Sequence, residues 1–166
     1  DHHQLDFVFE IPYYHILYSN RDNSEAEVFL TNLMNHLSVP QGASILDLPC
    51  GKGRHTLFLA EKGFTLTGAD LSNESISLAK SYAPEGVTFL VHDLRKPAWN
   101  ETFDYVLNLF TSFGYFETEA EDRAAFTTLS KALKTGGKLV IDFMNVTHAL
   151  NMLKEEETKV IQGIEF

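Results

Sequence analysis

The sequence contains very little cysteine and no long apolar segment. Cys50 is the only cysteine among 166 residues, so the chain cannot form an internal disulfide. It also has no run of roughly 18 or more apolar residues, which argues against a membrane-spanning helix. The N-terminus lacks the basic segment and apolar core of a secretory signal peptide. These absences predict a cytoplasmic protein with no membrane partner.

Basic residues are also scarce. Lysine and arginine total 13 against 23 acidic residues, and the formal net charge is −10. Arg95 and Lys96 form the only adjacent basic pair. Because binding to a nucleic-acid backbone needs clustered positive charge, we expect no nucleic-acid partner.

The order of elements predicts a single α/β domain. Apolar runs typical of buried strands alternate with segments of helical periodicity, so the connections are crossovers and the sheet is parallel. We expect a doubly wound, mostly parallel sheet with helices on both faces. The predicted strands cover residues 44–48, 64–70, 87–91, 103–110 and 138–143.

Two of the predicted helices have clear apolar stripes. The first covers residues 24–37, with Ser24 as its N-cap and Phe29 on its buried stripe. The second has a stripe formed by Ala125, Phe126, Leu129, Ala132 and Leu133. Glycines at 136–137 are expected to end this second helix.

A strand–glycine turn–helix unit organises the first half of the chain. The apolar run at 45–48 leads into Gly51-x-Gly53, and helical periodicity follows. Such a turn directs the free N–H groups of the helix toward the space above the strand. On its own the pattern also fits an ordinary turn without a ligand.

Polar side chains follow several of the predicted strands. Asp47, Asp70 and Asp93 come at the ends of the first three, and Asn108 lies in the last turn of the fourth. Ligands of open parallel sheets bind outside the carboxyl ends of the strands. Three acids at this edge suit a ligand with hydroxyl and amine donors: Asp70 fits a ribose, and Asp93 fits an exocyclic amine.

Five pieces of the chain together resemble the class I S-adenosylmethionine-dependent methyltransferases. Residues 47–55 are similar to the first motif of the bacterial small-molecule subgroup, which has Cys-Gly-x-Gly-Arg-His. The other pieces are 67–72, 92–94, 103–106 and 133–139, and the resemblance covers residues 24–146. It implies a Rossmann-like methyltransferase sheet and S-adenosylmethionine as the cofactor. The implied activity is methyl transfer to a small-molecule acceptor, mainly by alignment of donor and acceptor.

The resemblance also implies roles for individual residues. Asp47 would orient the amino-acid end of the donor, and Asp70 would bind the ribose. Asp93 would frame the adenine together with Leu71 and Leu94. The cofactor-binding set implied by the resemblance is Asp47, Pro49, Cys50, Gly51, Gly53, Asp70, Leu71, His92, Asp93, Leu94, Asn108, Phe110 and Phe113. No metal is predicted, and Cys50 is expected to be a small turn residue rather than a nucleophile.

The N-terminal region is rich in aromatic residues. Residues 1–23 are interpreted as a lid segment ahead of a donor-binding domain at 24–166, although padding of the core explains the same aromatics. Tyr13, Tyr14, His15 and Tyr115 are the candidate acceptor-site residues. His15 and His148 are candidate bases if the acceptor needs deprotonation, and a structural role suits each of them as well.

One departure from the family pattern concerns the end of the chain. The family's sheet carries two further strands after the fifth, and this sequence stops at Phe166. We therefore expect a C-terminally truncated domain and a possible homodimer through the exposed edge of the sheet.

Two other functions remain open from the sequence. One is a non-catalytic S-adenosylmethionine-binding or sensor domain. The other is an NAD-dependent oxidoreductase, which Thr56 disfavours because it occupies the place of the third glycine of Gly-x-Gly-x-x-Gly.

Overall fold

The main sheet is open, parallel and central to the molecule. In the computed structural model, the described residues are 23–110, 113–114, 116–142, 160–161 and 164–165. Within them, five strands form this sheet in the order β3-β2-β1-β4-β5. The strands are β1 (Ser44–Asp47), β2 (Thr65–Asp70), β3 (Thr88–Val91), β4 (Phe103–Asn108) and β5 (Leu133–Ile141). A separate antiparallel pair consists of β6 (Val160–Ile161) and β7 (Ile164–Glu165).

Helices cover both faces of the sheet. The helices of the described residues are α1 (Asn23–His36), α2 (Arg54–Glu61), α3 (Asn73–Tyr82) and α4 (Glu119–Ala132). Ile45 packs with the buried residues of α1 and α2, whereas the adjacent Leu46 packs with those of α4. Successive strand residues point to opposite faces, so α4 lies across the sheet from α1 and α2. The predicted doubly wound fold is confirmed.

The central strand β1 marks the point where the strand order reverses. Leu46 is in register with Thr67 of β2 on one side and with Val106 of β4 on the other. The chain thus continues from β1 to one neighbour and returns to the opposite side for β4. In open α/β sheets, this switch point is where a crevice forms above the strand ends.

Two glycines make room for a single aromatic ring behind the glycine turn. A Cβ at Gly53 would lie 2.5 Å from Cζ of Phe89, and one at Gly68 would lie 2.5 Å from Cε1 of the same ring. Ala79 of α3 closes the other side, at 3.0 Å from the Gly53 position. Phe89 therefore packs the turn, β2 and α3 together.

The start of α1 differs from the prediction. The helix begins at Asn23, so Ser24 lies inside its first turn and its predicted N-cap position is wrong. Phe29 is 40% exposed, whereas Leu30 and Met34 are buried, so the buried stripe is narrower than predicted. Ser72 caps α3, because its Oγ accepts a hydrogen bond from the Ser75 N–H at 3.2 Å.

The end of α4 also differs. The helix ends at Ala132, four residues before the glycines expected to end it, and Leu133 is already in β5 beside Phe103. Phe126 is 49% exposed because the buried stripe consists of Ala125, Thr128, Leu129 and Ala132, one position away. β4 ends at Asn108, since Phe110 has a φ of 59°, which extended strand does not allow.

Some predictions fall outside the described residues. These are residues 1–22 of the lid predicted at 1–23 and the candidate base His148. None of the described helices is long and apolar enough to cross a membrane.

Candidate functional site

Asp70 and the glycine turn form the centre of the site. The Gly51 N–H donates a hydrogen bond to Asp70 Oδ2 at 2.7 Å, and the Ser72 N–H donates to Oδ1 at 2.9 Å. The Cys50 N–H donates to the Ala69 carbonyl at 2.8 Å, which fastens the turn to β2. These bonds hold the Asp70 carboxylate in one orientation beside the turn.

Asp47 lies at the end of β1 and is bound by a residue of α2. The Thr56 hydroxyl donates a hydrogen bond to Asp47 Oδ2 at 2.6 Å, and both side chains are buried. Thr56 lies on the first turn of α2, so the tight glycine turn is what brings its hydroxyl back to the strand. The position that a dinucleotide fold fills with a third glycine here carries a hydrogen-bond donor.

Burial disfavours the charged form of both carboxyl groups. Desolvation raises the pKa of Asp47 to about 7, with the Thr56 hydrogen bond opposing the rise and the charge of Asp70 adding to it. Desolvation also raises the pKa of Asp70, against hydrogen bonds from backbone N–H groups that include those of Ser72 and Gly51. A ligand that brings hydroxyl donors or positive charge would stabilise both carboxylates.

The two glycines of the turn face different surroundings. A Cβ at Gly51 would have nothing within 4 Å among the described residues, whereas one at Gly53 would overlap Phe89. Gly51 has a φ of 54° and Gly53 a φ of 80°, so both adopt a conformation that favours glycine. Space for a ligand therefore lies beside Gly51, and Gly53 serves the packing of the turn.

Cys50 is buried within this turn. Burial and the charges of Asp47 and Asp70 raise the pKa of the Cys50 thiol. A thiol in such surroundings stays protonated and is a poor nucleophile. This agrees with the expectation that Cys50 is a small turn residue.

Asn108 connects the end of β4 to the chain beyond β1. Its Nδ2 donates a hydrogen bond to the Leu48 carbonyl at 2.9 Å, just before the cis peptide bond to Pro49. The side chain is fully buried, and in the described part of the chain its Oδ1 has no hydrogen-bond partner. A buried acceptor without a partner is costly and suits a ligand with a donor group.

The segment after β3 is joined to Asp70 through its backbone. The His92 N–H donates to the Asp70 carbonyl at 2.8 Å, and its ring packs edge-to-face on Trp99. Asp93 is buried and accepts hydrogen bonds from Arg95. Leu94 is buried in the core on the α4 face. His92, Asp93 and Leu94, the residues predicted to surround the adenine, therefore directly follow β3. This strand pairs with β2, which ends at the ribose candidate Asp70.

Phe110 forms an aromatic group beyond β4. Its N–H donates to Asp142 Oδ2 at 3.1 Å, and its ring stacks on His55 with centroids 4.2 Å apart. Phe29 meets the same ring edge-to-face at 5.9 Å. Burial and the nearby charge of Arg54 lower the pKa of His55 to about 4, so this imidazole is neutral at pH 7.

The remaining predicted site residues are distributed as follows. Pro49 lies in the turn and is half-buried, Leu71 follows Asp70, and Phe113 packs against the core on the α4 face. Tyr13, Tyr14, His15 and Tyr115 lie outside the described residues. Within the described ranges, no group of three His, Cys, Asp or Glu side chains is placed to hold a metal ion.

Three residues of the site were not predicted from the sequence. Thr56, Arg95 and Asp142 bind Asp47, Asp93 and the Phe110 N–H, respectively. In the sequence, Thr56 stands out only as a departure from a glycine pattern. For Arg95, its position two residues after a strand-end acid was the available signal, because such spacing allows a local ion pair.

Comparison with known proteins assigns the class. Residues 45–137 match the family model described as a methyltransferase domain. This match covers more than half of the chain, so the chain belongs to the methyltransferase domain family. The family match, the fold and the SAM-bound neighbour below support the class I S-adenosylmethionine-dependent methyltransferases, which confirms the resemblance seen in the sequence.

Particular relatives agree with this class. The chain is 37% identical over 108 residues to YqeM of Bacillus subtilis, named as a methyltransferase, covering 63% of this chain and 44% of the relative. It is 29% identical over 103 residues to dTDP-3-amino-3,4,6-trideoxy-alpha-D-glucopyranose N,N-dimethyltransferase of Streptomyces venezuelae, with 62% and 43% covered. The chain thus spans less than half the length of these curated relatives.

A solved structure is similar as well. It is the SAM-bound amino pentose methyltransferase CalS10 of Micromonospora echinaspora. The identity is 30% and the TM-score 0.65, over 76% of this chain and 52% of that one.

The described residues fit S-adenosylmethionine, the cofactor of this class. The open space beside Gly51 adjoins the Asp70 carboxylate. The buried Asn108 Oδ1 is an acceptor that receives no hydrogen bond from the described residues. A molecule with ribose hydroxyls, an amino group and a positive charge matches these acceptors and both destabilised carboxylates.

Proposed function

We propose that this chain is the donor-binding domain of an enzyme that transfers a methyl group from S-adenosylmethionine to a small-molecule acceptor. The observation that carries the proposal is the hydrogen bond from Gly51 to Asp70 beside open space. It fixes a carboxylate at the end of β2, beside the strand β1 at which the strand order reverses and next to which a nucleoside would bind.

In this proposal Asp70 binds the ribose. The Gly51 and Ser72 N–H groups bind different oxygens of this carboxylate, and a carboxylate has about four acceptor positions, so it can also accept hydrogen bonds from hydroxyl groups. Since backbone groups hold the carboxylate in place, little side-chain entropy is lost on binding.

Asp47 and the turn would bind the amino-acid end. The Thr56 hydroxyl fixes one oxygen of Asp47, which leaves the other for an amino group. A positive charge near Asp47 would favour its ionised form and offset the cost of burial.

When bound, S-adenosylmethionine supplies a methyl group on a sulfur that already carries a positive charge. The residues of the chain then contribute binding, alignment and exclusion of water. His55 is neutral and stacked on Phe110, which suits a wall of the site rather than a general base at pH 7.

An amine on a sugar is the acceptor class that we favour. The names of two relatives support it, one an amino-sugar N,N-dimethyltransferase and the other an amino pentose methyltransferase. The partly exposed rings of Phe29 and Phe110 form an apolar surface beyond the end of β4, against which a sugar ring can pack.

Three further proposals come from the sequence. Residues 1–23 form a lid, for which Phe29 and Phe110 offer partly exposed aromatic rings. The edge strand β5 forms a homodimer contact. The protein is cytoplasmic, as a single cysteine suggests.

Calorimetric titration with S-adenosylmethionine, S-adenosylhomocysteine and NAD tests the proposed donor. We expect binding of the first two and none of NAD, and release of S-adenosylhomocysteine when amino-sugar nucleotides are supplied. Tighter binding of NAD would contradict the proposal. Donor binding without turnover of any acceptor would favour a sensor domain instead.

A further inference from the structure

Arg95 grips the carboxylate of Asp93 from three directions. Its backbone N–H donates to Oδ1 at 2.9 Å, Nε donates to the same oxygen at 3.0 Å, and Nη2 donates to Oδ2 at 3.0 Å. The Asp93 side chain is 9% exposed and that of Arg95 14%. A planar guanidinium fixes such a carboxylate in both position and tilt.

The same guanidinium is anchored on α4. Its Nη1 donates to Glu121 Oε1 at 2.6 Å, and the group lies over the Phe116 ring, 5.4 Å from the centroid. Glu121 is itself held by the Thr118 hydroxyl, which donates to Oε2 at 3.1 Å. Arg95 therefore connects the segment after β3 to the first turn of α4.

This arrangement determines which lone pairs of Asp93 remain available. A carboxylate oxygen accepts about two hydrogen bonds, and Oδ1 already accepts two from Arg95. From the described residues Oδ2 accepts one hydrogen bond, which leaves a single position for another donor. The adjacent His92 N–H donates to the Asp70 carbonyl, which ties the segment that carries Asp93 to the end of β2.

We propose that Arg95 is a positioning residue for base selectivity, holding Asp93 so that Oδ2 alone accepts the 6-amino group of an adenine. The inference rests on the proposed function and adds to it a residue that touches neither base nor reacting atoms. Without the hydrogen bonds from Arg95, the Asp93 carboxylate would rotate and accept hydrogen bonds from water. The Glu121 anchor sets the angle of the guanidinium and through it the angle of Asp93.

The ionisation of Asp93 supports this geometry. Burial by itself would raise the pKa of Asp93, but the hydrogen bonds and charge of Arg95 outweigh it and lower the pKa. Asp93 is therefore an ionised acceptor at neutral pH. A 6-amino purine donates to it, whereas a 6-oxo purine presents an oxygen and is repelled.

The test compares two ligands whose bases differ at the 6-position, where the 6-oxo base also carries a proton on N1. S-adenosylhomocysteine and its 6-oxo analogue, S-inosylhomocysteine, are titrated into the wild type and into Arg95→Lys. We expect the wild type to prefer the 6-amino ligand by about tenfold or more, as for a hydrogen bond to a charged group. Arg95→Lys keeps the positive charge but loses the two parallel guanidinium hydrogen bonds to Asp93. It should reduce the preference to about threefold or less.

Two further variants complete the experiment. Glu121→Gln removes the negative charge that anchors Arg95 and leaves only a weaker neutral acceptor, so it should lower the selectivity in the same direction. It tests the proposal if Arg95→Lys does not fold. Arg123→Gln is the matched control, because Arg123 forms an exposed ion pair with Glu119 on the same helix. It should keep the full preference.

The possible failures are distinguishable. Absence of S-adenosylhomocysteine binding in the wild type would contradict the proposed function itself. Equal binding of the two ligands by the wild type would overturn only the role of Asp93 and Arg95. Full selectivity in folded Arg95→Lys or, if that variant is unfolded, in Glu121→Gln would overturn the positioning role.

Discussion

Asp47 shows what burial does to a single residue of this site. Its carboxyl group ionises near 4 in an unfolded chain, whereas burial raises its pKa in the folded protein to about 7. Between these values the folded form holds a proton that the unfolded form loses. The contribution of Asp47 to the free energy of unfolding is therefore full below pH 4 and falls as the pH rises to about 7.

This gives a prediction for the pH dependence of stability. Asp47→Asn cannot ionise, so its melting temperature should fall less between pH 5 and pH 8 than that of the wild type. Thermal unfolding at intervals across this range measures the difference. Glu61→Gln, at the exposed end of α2, serves as the control and should follow the wild type. Parallel curves for Asp47→Asn and the wild type would contradict a raised pKa of the buried Asp47 carboxyl group.

The sequence revealed the acids at this scale but not their partners. Asp47 and Asp70 were recognisable because acids are poor choices at the end of a buried strand. The bond from Thr56 to Asp47 spans nine positions through a glycine turn, and no periodicity encodes it. The raised pKa of Asp47 depends on the same packing and could not be predicted from the sequence either.

The glycine turn is the element in which packing and binding can be separated. An alanine at Gly53 would place its Cβ 2.5 Å from the Phe89 ring, whereas one at Gly51 would meet open space. Both would adopt an unfavourable left-handed conformation, at a cost of about 1–2 kcal/mol. Gly53→Ala adds overpacking of about 1–3 kcal/mol.

We therefore expect different outcomes from the two substitutions. Gly53→Ala should lower the free energy of unfolding, measured in urea, clearly more than Gly51→Ala. Gly51→Ala should instead weaken binding of S-adenosylhomocysteine, since its methyl group enters the space beside Asp70. Equal loss of stability in both variants, with ligand affinity unaffected by Gly51→Ala, would contradict this division of roles.

The elements themselves were largely predictable, except where tertiary pairing decides a boundary. The five strands of the main sheet were predictable from apolar runs, and α1 and α4 from their apolar stripes. The end of α4 was not, because Leu133 continues the helical stripe yet pairs with Phe103 of β4. The next residue of β5, Lys134, binds Asp104 of β4 at 3.1 Å.

At the scale of the whole molecule, the strand order creates the site. Parallel strands and crossovers follow from the alternation of elements, but the order β3-β2-β1-β4-β5 follows from no local pattern. In the sequence it was available only through the family resemblance. The order brings Asp47, Asp70 and Asn108 to the ends of three adjacent strands, which is the geometry that the proposed donor requires.

Calorimetric titration of S-adenosylmethionine into the wild type and Asp70→Ala is the decisive measurement. Because Asp70 is fixed by Gly51 and Ser72 for the ribose hydroxyls, the variant should bind about 1–3 kcal/mol more weakly. Glu85→Ala, in an exposed turn, should bind as the wild type does. Unchanged affinity in folded Asp70→Ala would contradict a donor held by the carboxyl ends of these strands.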